Sequence, residues 1–207
     1  MSLFITFEGG EGCGKSTVLR LINERLQSEG YQTVVTREPG GTPIAEQIRN
    51  VILDKANTAM DSRTEALLYA ASRRQHLVEK IWPALKEGKV ILCDRYLDSS
   101  LAYQGGARGL GIDNVLNVNR FATEDTYPDL TLLFDLEPEL GLQRIAANSE
   151  REVNRLDLEK LEFHAEVRQT FKEIAKKFPD RFVIIDASKT LEEVTNDVYN
   201  VIKSRMK

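Results

Sequence analysis

Five short apolar runs recur along the chain, at Leu3–Phe7, Thr33–Thr36, Val90–Cys93, Leu130–Phe134 and Phe182–Ile185. They are rich in Val, Ile, Leu and Phe and lack the alternation of a half-exposed sheet, so each reads as a buried strand. The stretches between them space apolar residues at three and four. They predict helices over Lys15–Gln27, Pro43–Leu53, Arg63–Glu87, Asn114–Ala122, Glu139–Ala147, Lys160–Lys177 and Leu191–Met206. Some helix starts carry their own chemistry. Ser62 with Glu65, and Thr190 with Glu193, fit a reciprocal capping box, and Pro43 behind Thr42 fits a first-turn proline. Strands alternating with helices predict an α/β fold, a five-stranded parallel sheet with helices on both faces.

Composition narrows the classes. A chain of 207 residues fits one domain around one core. With 42% hydrophobic residues and a net charge of -4 it is not disordered. No apolar run approaches the roughly 20 residues of a membrane span. The opening Met-Ser-Leu-Phe-Ile-Thr-Phe-Glu reaches a charge before a signal-length stretch forms, so no leader is expected. A pI near 5.4 argues against a broad nucleic-acid surface. Cys13 and Cys93 lie far apart, as do His76 and His164, which suits neither a disulfide framework nor a zinc site and predicts a reducing cytoplasm.

Candidate chemistry begins at the N-terminus. Gly9-Gly10-Glu11-Gly12-Cys13-Gly14-Lys15-Ser16 matches G-x-x-x-x-G-K-[ST] at every fixed position, after a predicted strand and before a predicted helix. Glycines let backbone N–H groups converge on phosphate oxygens, and the helix N-terminus adds partial positive charge. Lys15 would reach the terminal phosphates and Ser16 would place a hydroxyl on Mg²⁺, with Thr17 following it. The run Val90–Cys93 ends in Asp94, the expected metal partner at the carboxyl edge of a parallel sheet.

Motors, GTPases and kinases share such a loop. The guanine signature Asn-Lys-x-Asp is missing, and so is Asp-x-x-Gly after the second strand. Asp94 is instead followed by Arg95, and Arg37, Arg49, Arg73 and Arg74 fall near predicted element ends. Planar guanidinium groups bind phosphate bidentately, and there are more of them than one triphosphate requires. A second phosphate-bearing substrate follows, as in a nucleoside monophosphate kinase. The polar stretch Asn148–Asp157 reads on composition as a solvated loop; beside a phosphate site it also reads as a flap delivering an arginine.

Four segments carry a family resemblance: Phe7-Glu8-Gly9, Thr36-Arg37-Glu38-Pro39-Gly40-Gly41-Thr42, Ala71-Ser72-Arg73-Arg74, and Asp94-Arg95-Tyr96 running on to Tyr103-Gln104. Together they resemble the bacterial thymidylate kinases, from the first strand to the final helix. The resemblance implies a three-layer P-loop NTPase-type fold with a short arginine-bearing lid at about 148–157. It also implies Mg²⁺-dependent transfer of a phosphoryl group from ATP to dTMP, in supply of dTTP, and a homodimer.

Residue roles follow from the same resemblance. Arg95, with Arg37 and Arg49, would hold the acceptor phosphate beside Glu38, and Glu11 would meet the 3′-hydroxyl. Arg73 would donate to the thymine carbonyl, with Ser100 and Gln104 near the ring edge. Tyr69, one helical turn before Arg73, would stack on the base, although core packing also suits it. Tyr103 would pack near the sugar. Because the loop carries Glu11, the lid arginines Arg151 and Arg155 would supply the transferring charge. Arg144 and the Asp186-Ala187-Ser188 loop are candidates for the adenine by position. A stripe of Leu67, Ala71, Val78, Ile81 and Trp82 suits a core face and a dimer seam equally.

Overall fold

The computed structural model describes residues 2–147 and 155–206. Arg151 and the first part of the expected lid, residues 148–154, lie outside the described residues. Five strands form one parallel sheet: β1 (Leu3–Gly9), β2 (Thr33–Arg37), β3 (Val90–Asp94), β4 (Leu130–Asp135) and β5 (Phe182–Asp186), in the order β2-β3-β1-β4-β5. All seven residues of β1 are buried, as expected of a central strand in a covered sheet. The register sets Phe7 beside Asp94, and Asp94 beside Arg37, so the ends of three strands meet at one edge.

Helices cover both faces. α1 (Lys15–Ser28) and α9 (Leu191–Arg205) pack Val18, Ile22 and Val198 against Ile5, Phe7 and Leu132. On the opposite face, Phe4, Ile91 and Leu133 meet Leu101, Phe171 and Ile174, the last two from α8 (Leu161–Lys177). The remaining helices are α2 (Pro43–Leu53), α3 (Ser62–His76), α4 (Trp82–Lys86), α5 (Leu97–Ser100), α6 (Ile112–Thr123) and α7 (Pro138–Ala146).

Three expectations need revision. The helix expected over Arg63–Glu87 is α3 and α4 joined by a π-helical turn at Leu77–Ile81. Pro83 has no N–H to give and its ring crowds the preceding turn, which accounts for the wider winding. The N-cap of α3 is Asp61, whose carboxylate accepts from the N–H groups of Arg63 (3.0 Å) and Thr64 (3.1 Å), so Ser62 lies inside the helix. The box at Thr190 and Glu193 forms as expected. Finally, α5 and the π-helical segment Leu101–Ala107 that extends it were not foreseen. Every residue from Leu97 to Gly105 is buried, the polar Asp98, Ser99, Ser100 and Gln104 included, so polarity here does not separate a solvent face from a core face.

Candidate functional site

The loop from Gly9 to Gly14 leaves β1 through left-handed backbone, with φ of 139° at Gly9, 68° at Gly12 and 87° at Gly14. Here glycine is demanded by space as well as by φ. A Cβ on Gly9 would stand 2.5 Å from the Phe134 carbonyl oxygen, and one on Gly12 would stand 2.1 Å from that of Gly141 in α7. The loop therefore rests directly on α7. Lys15 folds back over it, its Nζ donating to the carbonyls of Gly9 (3.2 Å) and Gly10 (2.8 Å), with Cys13 Sγ at 3.3 Å. The Ser16 hydroxyl donates to Asp94 across the start of α1. The predicted metal pair is thus in contact.

A single cleft of about 540 Å³ joins this loop to the facing wall. It is lined by Lys15, Ser16 and Thr17 where the phosphate loop enters α1, by Arg144 of α7, by Tyr69 and Arg73 of α3, by Ser100 and Gln104, and by Arg37, Arg49 and Arg95. Arg144 donates to the Ala187 carbonyl (3.3 Å), which brings the two candidates for the adenine side together. Arg74 belongs elsewhere, over the Trp82 ring and paired with Glu124.

Arg95 takes a left-handed backbone, φ 69°, which costs a non-glycine residue about 1–2 kcal/mol. Its surroundings hold it there. The Arg95 N–H donates to the Phe7 carbonyl (3.0 Å), and the next N–H, of Tyr96, donates to Glu8 Oε1 (2.7 Å). The guanidinium then donates to the Gly9 carbonyl (2.9 Å) and to Glu11 Oε1 (2.6 Å), which also accepts the Tyr103 hydroxyl (2.9 Å). Burial works against its charge, but the carboxylates of Glu11 and Asp94 hold the guanidinium ionised.

The far wall is built on a buried relay. Arg73, 1% exposed, donates to Glu38 Oε2 (2.7 Å), Ser100 Oγ (3.0 Å), the Tyr96 carbonyl (3.0 Å) and Asn119. Glu38 Oε1 meets His76 Nδ1 at 2.9 Å, and His76 Nε2 meets Thr36 Oγ1 at 2.6 Å. A Cβ on Gly41 (φ 90°) would come within 2.9 Å of the His76 ring, so Gly41 makes room for this relay. Arg49 donates to the Pro39 carbonyl (2.9 Å) and Arg37 to Glu46 (3.1 Å).

Arg155, expected at the lid, also stands apart from the cleft. It is 5% exposed. Its Nε donates to the Ile52 carbonyl (2.8 Å) and its Nη2 to Glu65 Oε2 (2.5 Å), so its charge is committed to a buried carboxylate rather than turned to the phosphate loop. Sequence reasoning also passed over Glu8, His76, Asn119 and Glu65 as working groups. Each is buried and touches a cleft residue; for Glu8 the signals were its place just before the glycine loop and in the Phe7-Glu8-Gly9 segment. Burial and the Asp98 charge push the Glu8 carboxyl up to about 8.

Comparison with known proteins agrees with this geometry. Residues 7–198 match the thymidylate kinase family. The chain is 61% identical to the thymidylate kinase of Bacillus velezensis over 205 residues, 99% of this chain and 97% of that one. It is 57% identical to that of Bacillus licheniformis, again over 99% of this chain and 97% of the relative. A crystal structure of thymidylate kinase from Ehrlichia chaffeensis superposes with a TM-score of 0.78 at 36% identity, covering 97% of this chain and 98% of that one. With the glycine loop, the Asp-Arg-Tyr turn and the arginine-lined wall in place, the chain belongs to the thymidylate kinase family, which phosphorylates dTMP to dTDP at the expense of ATP.

Proposed function

We propose that the cleft holds ATP and dTMP at once and passes the γ-phosphoryl group directly between them. The phosphate loop takes the donor, with Arg144 and the Ala187 turn at the adenine. Lys15 exchanges the Gly9 and Gly10 carbonyls for phosphate oxygens. Ser16 and Asp94 are oxygen donors in contact at the cleft wall, a set that suits Mg²⁺, which takes one or two carboxylates and fills its shell with phosphate and water. Bound there, Mg²⁺ supplies charge neutralisation at the phosphates.

Arg95, Arg37 and Arg49 take the acceptor phosphate, and Arg95 stands between the two walls through its bond to Glu11. Glu11 and Tyr103 face the deoxyribose, Tyr69 stacks on the base, and Arg73, Ser100 and Gln104 read its edge. With Arg155 held by Glu65, Arg151 is the lid residue to which the transferring charge falls. Phosphoryl transfer asks for little covalent help from protein, so placing and charge are the chain's contribution.

A second copy covers α3 in this reading. Leu67 and Val78 remain 58% and 44% exposed, and Phe121 on the neighbouring α6 is 90% exposed, whereas Ile81 is fully buried in the core. Three exposed large apolar side chains on adjacent helices support a protein interface. The enzyme acts in the cytoplasm, in keeping with two free thiols, Cys13 and Cys93.

The observation that carries the reading is the shared cleft, lined at once by Lys15 and Ser16 at the phosphate loop and by Tyr69 and Arg73 of α3. Arg73→Ala should lower kcat/KM for dTMP about 10- to 100-fold, the worth of one charge-assisted hydrogen bond at about 1.5–3 kcal/mol. The KM for ATP should hold. Unchanged dTMP turnover would remove the base wall.

A further inference from the structure

Gln104 lines the cleft from the π-helical segment, and Glu65 stands behind it on α3, outside the cleft. Both are 1% exposed. Gln104 Nε2 donates to Glu65 Oε1 at 2.8 Å. An ionised carboxylate only accepts hydrogen bonds, so the amide facing it must turn its NH₂ end inward. Two arginines keep that carboxylate ionised and still. Arg155 Nη2 lies 2.5 Å from Oε2, while Arg108 Nε and Nη2 each lie 3.3 Å from a carboxylate oxygen. Those arginines are anchored in turn by the Ile52 carbonyl (2.8 Å) and Glu159 (2.6 Å). Burial alone would raise the Glu65 carboxyl, but Gln104, Arg108 and Arg155 bring it below the ordinary value. Gln104 Oε1 has no hydrogen-bond partner among the described residues.

We infer that Glu65 is a positioning residue which fixes the Gln104 amide with its carbonyl oxygen offered to the acceptor base, and so selects a pyrimidine carrying a hydrogen at N3. Thymine and uracil have that N–H and can donate to Oε1. Cytosine presents a lone pair at N3, which would face the carbonyl lone pairs with no proton between them. A free amide could rotate by half a turn and serve either base; one pinned by a carboxylate cannot. Arg155 then acts from the end of the lid segment as the counter-charge that holds Glu65 in register. The inference rests on the reading that the acceptor base meets Gln104.

The test is acceptor selectivity. Glu65→Gln keeps the shape but can itself donate to Gln104, which frees the amide to rotate. The ratio of kcat/KM for dTMP over dCMP should fall at least tenfold, with the KM for ATP unchanged. A merely structural role would depress both acceptors together and leave the ratio intact, and that result in a folded variant overturns the inference. Gln104→Leu separates the two levels. If it lowers the ratio while Glu65→Gln does not, the positioning role alone is wrong. If neither variant moves the ratio, the base does not meet Gln104 and the underlying site reading falls as well. Should Glu65→Gln lose its melting transition, Glu65→Gln combined with Arg155→Gln removes both charges together and is read in the same way.

Discussion

The buried pair of Arg73 and Glu38 gives the sharpest energetic prediction. Their side chains are 1% and 2% exposed, so water screens them little, and their atoms lie 2.7 Å apart. Arg73→Met removes the guanidinium from four acceptors and leaves the Glu38 carboxylate inside the protein, facing His76 Nδ1 at 2.9 Å. Removing one partner of a buried pair costs about 3–5 kcal/mol. For a domain of this size each kcal/mol moves Tm by about 2–4 °C, so the variant should melt roughly 6–20 °C lower. Glu38→Gln alone should also destabilise. The double variant takes away both charges and should be more stable than the sum of the single losses predicts, by a coupling of about 0.5–3 kcal/mol. Urea unfolding of the four proteins in parallel supplies the cycle. Additivity within about 0.5 kcal/mol would show that the two groups do not act as a pair and would refute the relay as the support of the base wall.

Other consequences follow from the same structure. Glu8 titrates at about 8 in the fold against 4.5 in the free group, so the native state keeps a proton that the unfolded chain has lost between those values. Its contribution to stability is therefore full below about pH 4.5 and is lost as pH rises through about 8, and Glu8→Gln should flatten that decline in urea titrations at pH 5, 6.5 and 8. Turnover should stop when EDTA removes Mg²⁺, and Asp94→Asn should raise the Mg²⁺ needed for half-maximal rate about tenfold or more, as for loss of one charged ligand contact. Phe121→Glu should shift sedimentation at micromolar concentration from dimer to monomer; an unchanged profile would place the interface elsewhere.

Much of the fold was open to reading because its local signals agree. The five strands are continuous apolar runs, and the observed ends differ from the expected ones by no more than two residues. The phosphate loop was equally legible, since its glycines, lysine and serine answer to one chemistry at one spacing. What stayed hidden depends on long-range contacts. Glu8 and Glu65 look in sequence like any acidic residue, and only the folding together of β1, α3 and the Leu97–Ala107 helix shows that each holds a cleft residue in place. Arg155 shows the same gap: its place within the lid segment pointed to the phosphates, while in the fold Glu65, 90 residues away, takes its charge. The helix at Leu97–Ala107 escaped because its polar residues Asp98, Ser99, Ser100 and Gln104 are buried with the apolar ones, so its polarity does not follow the solvent-facing stripe of a surface helix.

The central claim is that both nucleotides occupy one cleft together and that the phosphoryl group never rests on the protein. Initial velocities measured across a grid of ATP and dTMP concentrations test it most directly. Double-reciprocal lines that intersect, reporting a ternary complex, are the predicted result; parallel lines, reporting release of ADP before dTMP binds, would contradict it.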